Sequence, residues 1–263
     1  MIIDAHTHVG PFLEDNGKTA DDLIVSMDQA KIDTALVIAS NFGPKKQGLN
    51  IEELIKIAKS QPRLKIVGNI DYSTLDTEQI TKLKKLLENK EIVGIKSYLG
   101  YEPYFAYDKK LFPLYEFCEQ KNFPIIYHAG LILEGANGLL KHSHPLTIDE
   151  VASRFPKLKI VIAHIGNPWI LDCAAVVARN TNVYADLSGQ FTELQAISKK
   201  DKTDFLKNIS IFTTIASLDK CLFGSDWWFY SQQECLEAIL DIPMTAAEKE
   251  AVLWKNAKNI FNL

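Results

Sequence analysis

The chain has little cysteine, and the four residues it has, Cys118, Cys173, Cys221 and Cys235, are far apart with no Cys-x-x-Cys among them. A disulfide framework therefore finds no support, and a reducing, cytoplasmic setting is the expectation. No apolar run is long enough to span a bilayer. Met1-Ile2-Ile3-Asp4 carries no basic leader followed by an apolar run, so no signal peptide is expected either. Positive charge is not in excess: 29 Lys and Arg stand against 33 Asp and Glu, a net charge of −4. The strongest basic run, Lys82 to Lys85, is interleaved with Ile80, Leu83, Leu86 and Leu87 at helical spacing, which marks a solvated helix face rather than a nucleic-acid patch. No Pro/Gly/Ser-rich linker, internal repeat or low-complexity segment divides residues 1–263, so one domain is expected.

What the chain has in quantity is short apolar runs rich in Ile and Val. They read as strands over Ile2–Val9, Thr34–Ser40, Lys65–Asp71, Ile92–Tyr98, Pro124–Ala129, Lys159–Ile165, Val183–Leu187 and Cys221–Trp227. Most are apolar without alternation until their last residues, as parallel strands covered by helices are. Amphipathic stretches lie between them, several opening on a capping signature: Thr147-x-x-Glu150, Ser231-x-x-Glu234 and Thr245-x-x-Glu248. Strict alternation of this kind in a chain of 263 residues predicts a single-domain (β/α)8 TIM barrel. An open doubly wound sheet usually announces itself with a Gly-rich phosphate loop after the first strand, where this chain has His6-Thr7-His8.

Function in such a barrel lives at the C-terminal ends of the strands. There the first strand carries Asp4, His6 and His8, whose period-two spacing predicts that they share the inward face. The fourth ends in Lys96, the fifth in His128, the sixth in His164 and the eighth in Asp226. Four of only six histidines thus stand at inferred strand ends. A lone buried imidazole is readily satisfied by backbone, but packing alone would favour apolar residues at four such points. Imidazoles with a carboxylate are the ligand set that suits zinc and its neighbours. The other two histidines lie in Lys141-His142-Ser143-His144-Pro145, where Pro145 and the capping signature after it mark a surface connection. A pocket-rim or solvated role fits this pair, with His144 the one expected to meet substrate.

The ordered set of motifs resembles the amidohydrolase superfamily, in the amidohydrolase-related branch (amidohydrolase 2) that includes aminocarboxymuconate-semialdehyde decarboxylase. It runs through Ile3-Asp4-Ala5-His6-Thr7-His8, Gly94-Ile95-Lys96, the stretch from Phe155 to Trp169, Asn182 to Gly189, Phe223-Gly224-Ser225-Asp226 and Asn256 to Phe261. The resemblance implies that His6, His8, His128 and Asp226 bind one divalent metal, usually zinc, and that His164 stays unligated and acts on the substrate. With His-x-His at residue 6, no flanking N-terminal β-sandwich is expected. TatD-type deoxyribonucleases also open on an early His-x-His. They usually carry a Glu on the fourth strand and a Glu-Thr-Asp near the end, where this chain has Lys96 and Gly224-Ser225-Asp226.

Asp226 is then the residue expected to take the proton of a metal-activated water and pass it to the leaving group, with His164 polarising a carbonyl or bonding the developing oxyanion. Lys96 has three readings: a cation for a substrate carboxylate, a carboxylated bridge to a second metal, or an ion pair inside the barrel with Asp4. Tyr98, Trp169 and Trp227, with Tyr101, Trp228 and Phe229, offer an aromatic pocket wall, although aromatics at such points also serve plain packing. The first reading of function is hydrolysis of a C–N or C–O bond (amide or lactone) in a small, carboxylated molecule. Metal-dependent decarboxylation of an unsaturated or aromatic acid is the alternative. A non-catalytic metal-binding protein is a third, against which no ligand residue is missing. The expected partner is a small-molecule substrate, with neither nucleic acid nor membrane, and a homodimer is compatible with this reading.

Overall fold

The computed structural model describes residues 1–12, 15–40, 48–132, 138–191 and 196–263. Eight parallel strands follow one another around the molecule in chain order: β1 (Ile3–Thr7), β2 (Thr34–Ile38), β3 (Leu64–Asn69), β4 (Gly94–Ser97), β5 (Ile125–Tyr127), β6 (Ile160–Ile162), β7 (Val183–Asp186) and β8 (Cys221–Leu222). Helices cover them on the outside: α1 (Ala20–Ala30), α2 (Ile51–Ser60), α3 (Thr77–Glu88), α4 (Phe112–Lys121), α5 (Leu146–Arg154), α6 (Ile170–Arg179), α7 (Lys199–Phe212) and α8 (Gln232–Leu240). A short hairpin, Gly10–Phe12 with Asp15–Lys18, precedes α1. This is the expected (β/α)8 barrel, and each of the expected strands is present.

The seam between β8 and β1 is made after β8 has formally ended. Ala5 N–H donates to the Phe223 carbonyl (2.9 Å), Asp226 N–H to that of His6 (2.9 Å) and His8 N–H to that of Trp227 (2.5 Å). The interior below the site is filled by Ile3, Ala5, Leu36, Ile38, Val67, Ile126, Val161 and Leu222, with Ala257, Ile260 and Phe261 of the C-terminal helical stretch packed against them. The larger apolar cluster lies between strands and helices.

Strand β1 departs from simple alternation. Its register against β2 shifts between Asp4 and Thr7, a bulge of the kind that re-aims side chains beside active sites. Ile3 and Ala5 join the interior cluster, while Asp4 turns away and accepts from Ser225 Oγ (2.6 Å) and from Gln232 Nε2 of α8 (2.8 Å). The expectation that Asp4 faces inward with His6 is thereby corrected. An unbroken period of two would have sent His6 to the helix side with Asp4; the shift brings His6 and His8 inward.

Of the expected caps, Thr245 forms a full capping box, and Ser231 accepts from Glu234 N–H (3.4 Å). Thr147 does not cap: α5 starts at Leu146, and Thr147 Oγ1 donates back to the His144 carbonyl (2.8 Å). The Lys82–Lys85 run lies on α3, whose Ile80, Leu83 and Leu87 are buried. All four cysteines are buried and free. No helix among the described residues is long and apolar enough to cross a membrane.

Candidate metal and catalytic site

Six strands, β1 and β4 to β8, deliver the site. β1 brings His6 and His8, both buried, and the run after β8 brings Asp226, whose backbone is left-handed (φ 60°). Asp226 Oδ1 lies 3.4 Å from His8 Nε2 and 3.7 Å from His6 Nε2. Just past β6 the chain turns sharply, so the expected strand through Ile165 ends at Ile162, with His164 and Ile165 at φ 61° and 43°. Left-handed backbone is tolerated by His and Asp but is a genuine outlier for a β-branched residue, and such outliers gather at functional sites. The turn sets the His164 ring 4.9 Å from that of His6 and 5.0 Å from that of His128.

β7 contributes Asp186, and the residues after it contribute Ser188. Asp186 Oδ2 is 2.9 Å from His6 Nδ1, and Oδ1 accepts from the backbone N–H of His164 (3.0 Å) and of Ser188 (3.1 Å). Ser188 Oγ donates a short hydrogen bond to Asp186 Oδ1 and also approaches His164 Nδ1 (2.9 Å) and His6 Nδ1 (3.1 Å). Neither residue was given a role from the sequence. The signal that could have found them is a carboxylate closing an apolar strand, as Asp226 does.

Lys96 of β4 is fully buried, its Nζ 3.4 Å from His6 Nε2 and 5.5 Å from the Tyr98 ring centroid. The proposed ion pair with Asp4 is not formed; the carboxylates that act on Lys96 are Asp186 and Asp226. Burial lowers its ammonium to about 8 against the pull of those two charges. Burial, helped by Lys96, brings His6 down to about 4. Burial also lowers His164, and it holds His128 well below the ordinary range, aided by His164 and Lys96. For Asp226, burial pushes the carboxyl up, but the bond to His8 and the charges of His6 and His164 outweigh it and hold it below the usual carboxylate range. Asp186 behaves alike, with His6 as the chief opponent of burial. Burial thus disfavours the imidazolium forms of His6, His128 and His164, beside two carboxyls, Asp186 and Asp226, held below the usual range.

That donor set fits a divalent cation. His6, His8 and Asp226 each offer an atom within 4.8 Å of the others, as do His6, His164 and Asp186. Asp186 is already occupied by hydrogen bonds, which leaves the first trio as the open one. His128 belongs to neither cluster: its Nε2 bonds the Leu131 carbonyl (2.9 Å), so only Nδ1 is left to meet a ligand. His8 Nδ1 is turned to the Ile38 carbonyl (3.2 Å), which leaves its Nε2 for the site.

The expected substrate contacts scatter more widely. Tyr98 is buried, its hydroxyl donating to the Ala39 carbonyl (2.9 Å), and its ring meets Tyr101, which in turn packs on His128 (4.7 Å). The His144 ring lies tilted against Trp169 (centroids 4.6 Å) and reaches Asp172 (3.6 Å), a partly exposed group off the trio. Trp227 sits in the core beside the seam, its N–H donating to Ser225 Oγ (3.0 Å). The aromatic ring facing His8 is Phe229, at 6.3 Å.

Histidines and carboxylates gathered at one end of an eight-stranded barrel define the class as a barrel with a candidate metal site, and the family follows from comparison. The family model described as Amidohydrolase (Amidohydro_2) matches residues 3–263, so the chain belongs to the amidohydrolase family. A probable 2-pyrone-4,6-dicarboxylic acid hydrolase from Acinetobacter baumannii, solved with citric acid bound, is similar in fold at TM-score 0.72 and 17% identity, over 100% of this chain and 99% of that one. An amidohydrolase from Burkholderia multivorans solved with bound zinc gives 0.76 and 17%, with coverage of 100% and 99%. The 2,6-dihydroxybenzoate decarboxylase from Rhizobium gives 0.73 and 14%, with coverage of 99% and 98%. No curated protein sequence matches the chain.

Proposed function

We propose that the chain is a metal-dependent hydrolase that cleaves a C–N or C–O bond, an amide or a lactone, in a small carboxylated molecule. The observation that carries this reading is the convergence of His6 Nε2 and His8 Nε2 on Asp226 Oδ1, with the Lys96 ammonium 3.4 Å from His6. His6, His8 and Asp226 would hold one cation, zinc by preference, with His128 completing the set through Nδ1; a second would need Lys96 to be carboxylated. Such a cation would supply Lewis acidity toward water and the substrate's carbonyl oxygen. Asp226, an ionised carboxylate, accepts the proton of the attacking water and returns it to the leaving group. His164 meets the reacting oxygen, and Lys96 binds the substrate carboxylate as a buried cation. Tyr98 and His144 with Trp169 are proposed to shape the pocket and its rim; Trp227 contributes through the seam. Likeness in fold to both a probable hydrolase and a decarboxylase keeps decarboxylation as the second reading.

The test is product analysis of the full-length protein on a panel of carboxylated lactones, amides and aromatic acids. Products that together outweigh the substrate by one water support hydrolysis, whereas released carbon dioxide selects the second reading. Chelation should abolish turnover and zinc should restore it; turnover indifferent to chelation would overturn the metal-dependent reading. Asp226→Asn should lower turnover by about 10²–10⁴-fold, the usual worth of a general base, while retaining part of the metal measured by elemental analysis.

A further inference from the structure

The hydrogen bonds around Asp186 determine more than the position of a carboxylate. Its Oδ1 takes two backbone N–H groups, of His164 (3.0 Å) and Ser188 (3.1 Å), and backbone N–H can only donate. Oδ1 also receives Ser188 Oγ, and Oδ2 faces His6 Nδ1 at 2.9 Å. A carboxylate is acceptor-only, so each of these neighbours must bring the proton. The single hydroxyl proton of Ser188 therefore goes to Asp186. The Ser188 oxygen is then left with lone pairs alone, and ring nitrogens that approach it must be donors. His164 Nδ1 does so at 2.9 Å, and His6 Nδ1 at 3.1 Å. Both rings are consequently protonated on Nδ1, and in its neutral form a ring held this way is bare on Nε2. For His6 this agrees with Lys96 Nζ, a donor, standing 3.4 Å from its Nε2.

We propose that Asp186 is the positioning residue of this site, acting on His6 directly and on His164 through Ser188, and holding both imidazoles as Nδ1–H tautomers with Nε2 turned to the reactants. Both of its oxygens are taken up by hydrogen bonds to the groups it positions. Its effect on His6 is to keep a lone pair available where a cation would sit. Its effect on His164 is to fix the direction of proton traffic: the ring meets the substrate or the attacking water as an acceptor, and donates to an oxyanion only after taking up a second proton. This sharpens the role expected of His164, since a neutral ring held this way has no Nε2 proton to give. One carboxylate thus sets the chemistry of two rings that reach the site from different strands. The inference deepens the hydrolase reading at the same site but stands on hydrogen-bond geometry rather than on any activity.

The test is long-range ¹H–¹⁵N correlation on full-length protein with ¹⁵N-labelled histidine, before and after chelation, with signals assigned from His6→Gln and His164→Gln spectra. In the chelated wild-type chain both His6 and His164 should show the proton on Nδ1. Ser188→Ala should release His164 into a mixture of tautomers while His6 keeps its own, and Asp186→Asn should release both. Zinc affinity should fall by about 10–100-fold in Asp186→Asn, the usual cost of losing a group that orients a ligand, and stay near wild type in Ser188→Ala. Asp186→Glu should restore the His6 tautomer in part. A wild-type ring protonated on Nε2, or a His164 signal unmoved by Ser188→Ala, overturns the proposal. The wild-type spectrum decides this even if Asp186→Asn fails to fold. Chains that show these tautomers but bind no zinc would sink the hydrolase reading alone.

Discussion

Lys96 is a costly residue to bury, and of its three readings the ion pair with Asp4 is the one its surroundings remove. Its Nζ lies 3.4 Å from His6 Nε2 within reach of the charges of Asp186 and Asp226, while Asp4 is engaged elsewhere. A free ammonium needs such acceptors, and a substrate carboxylate would complete them. Lys96→Ala should therefore weaken binding of carboxylated substrates by about 1.5–3 kcal/mol, seen as a KM raised roughly ten- to hundredfold with metal content unchanged. Added bicarbonate should do nothing. A second equivalent of metal that grows with bicarbonate would establish the carboxylated form instead.

At the scale of elements, the turn after β6 and the turn after β7 are fitted to each other. Gly189 has φ +61°, and a Cβ built on it would stand 2.5 Å from His164 Nδ1. Gly189→Ala combines backbone strain with a clash against that ring, so it should displace His164 and reduce turnover by at least about tenfold, since misplacement of about 1 Å can cost a hundredfold. Metal content, held by other strands, should stay near wild type; a fully active Gly189→Ala enzyme would show that His164 has room to spare. The eight strands and the polar residues at their ends were legible because parallel strands buried on both faces read as apolar runs with an abrupt polar close. The same double burial hid the bulge in β1: Ile3, Asp4, Ala5, His6 and Thr7 are all buried, so no alternation exists from which a change of face could be read. Asp186 was hidden for another reason. Its partner His6 is 180 residues away, and nothing local distinguishes a strand-end carboxylate that orients a ring from one that merely faces solvent.

The whole molecule inherits a pH dependence from its buried groups. In metal-free protein the unfolded chain protonates its histidines near pH ~6.5, but burial keeps His6, His128 and His164 neutral in the fold. The unfolded state then binds more protons below that pH, so stability falls as pH falls. Asp4 and Glu102 work in the opposite sense. Burial raises them to about 6 and about 7, against hydrogen bonds from Ser225 and Gln232 in the first case and together with the Asp71 charge in the second. Their contribution is complete below the unfolded carboxyl range near ~4 and is lost as pH rises through their folded values. Asp186 and Asp226, both depressed, contribute above pH ~4 and lose that contribution only at lower pH. Three rings stand against two carboxyls, so urea denaturation of chelated protein should show stability falling as pH falls from about 6 to 5. A chelated chain more stable near pH ~5 than near pH ~7 would contradict this.

The seam between the first and last strands has a consequence for the chain as it is made. Asp4 accepts from Ser225 N–H at 3.0 Å across 221 residues of sequence. At ~5–20 residues per second on a ribosome, the N-terminal strand waits roughly 10–45 s for its neighbour. Throughout that interval β1 has one unpaired edge, and Asp4 is destined for burial without its donors. An exposed edge of this kind is an invitation to pair with another nascent chain. A product terminated before Cys221 would carry both His6 and His8 yet have no strand to close against them.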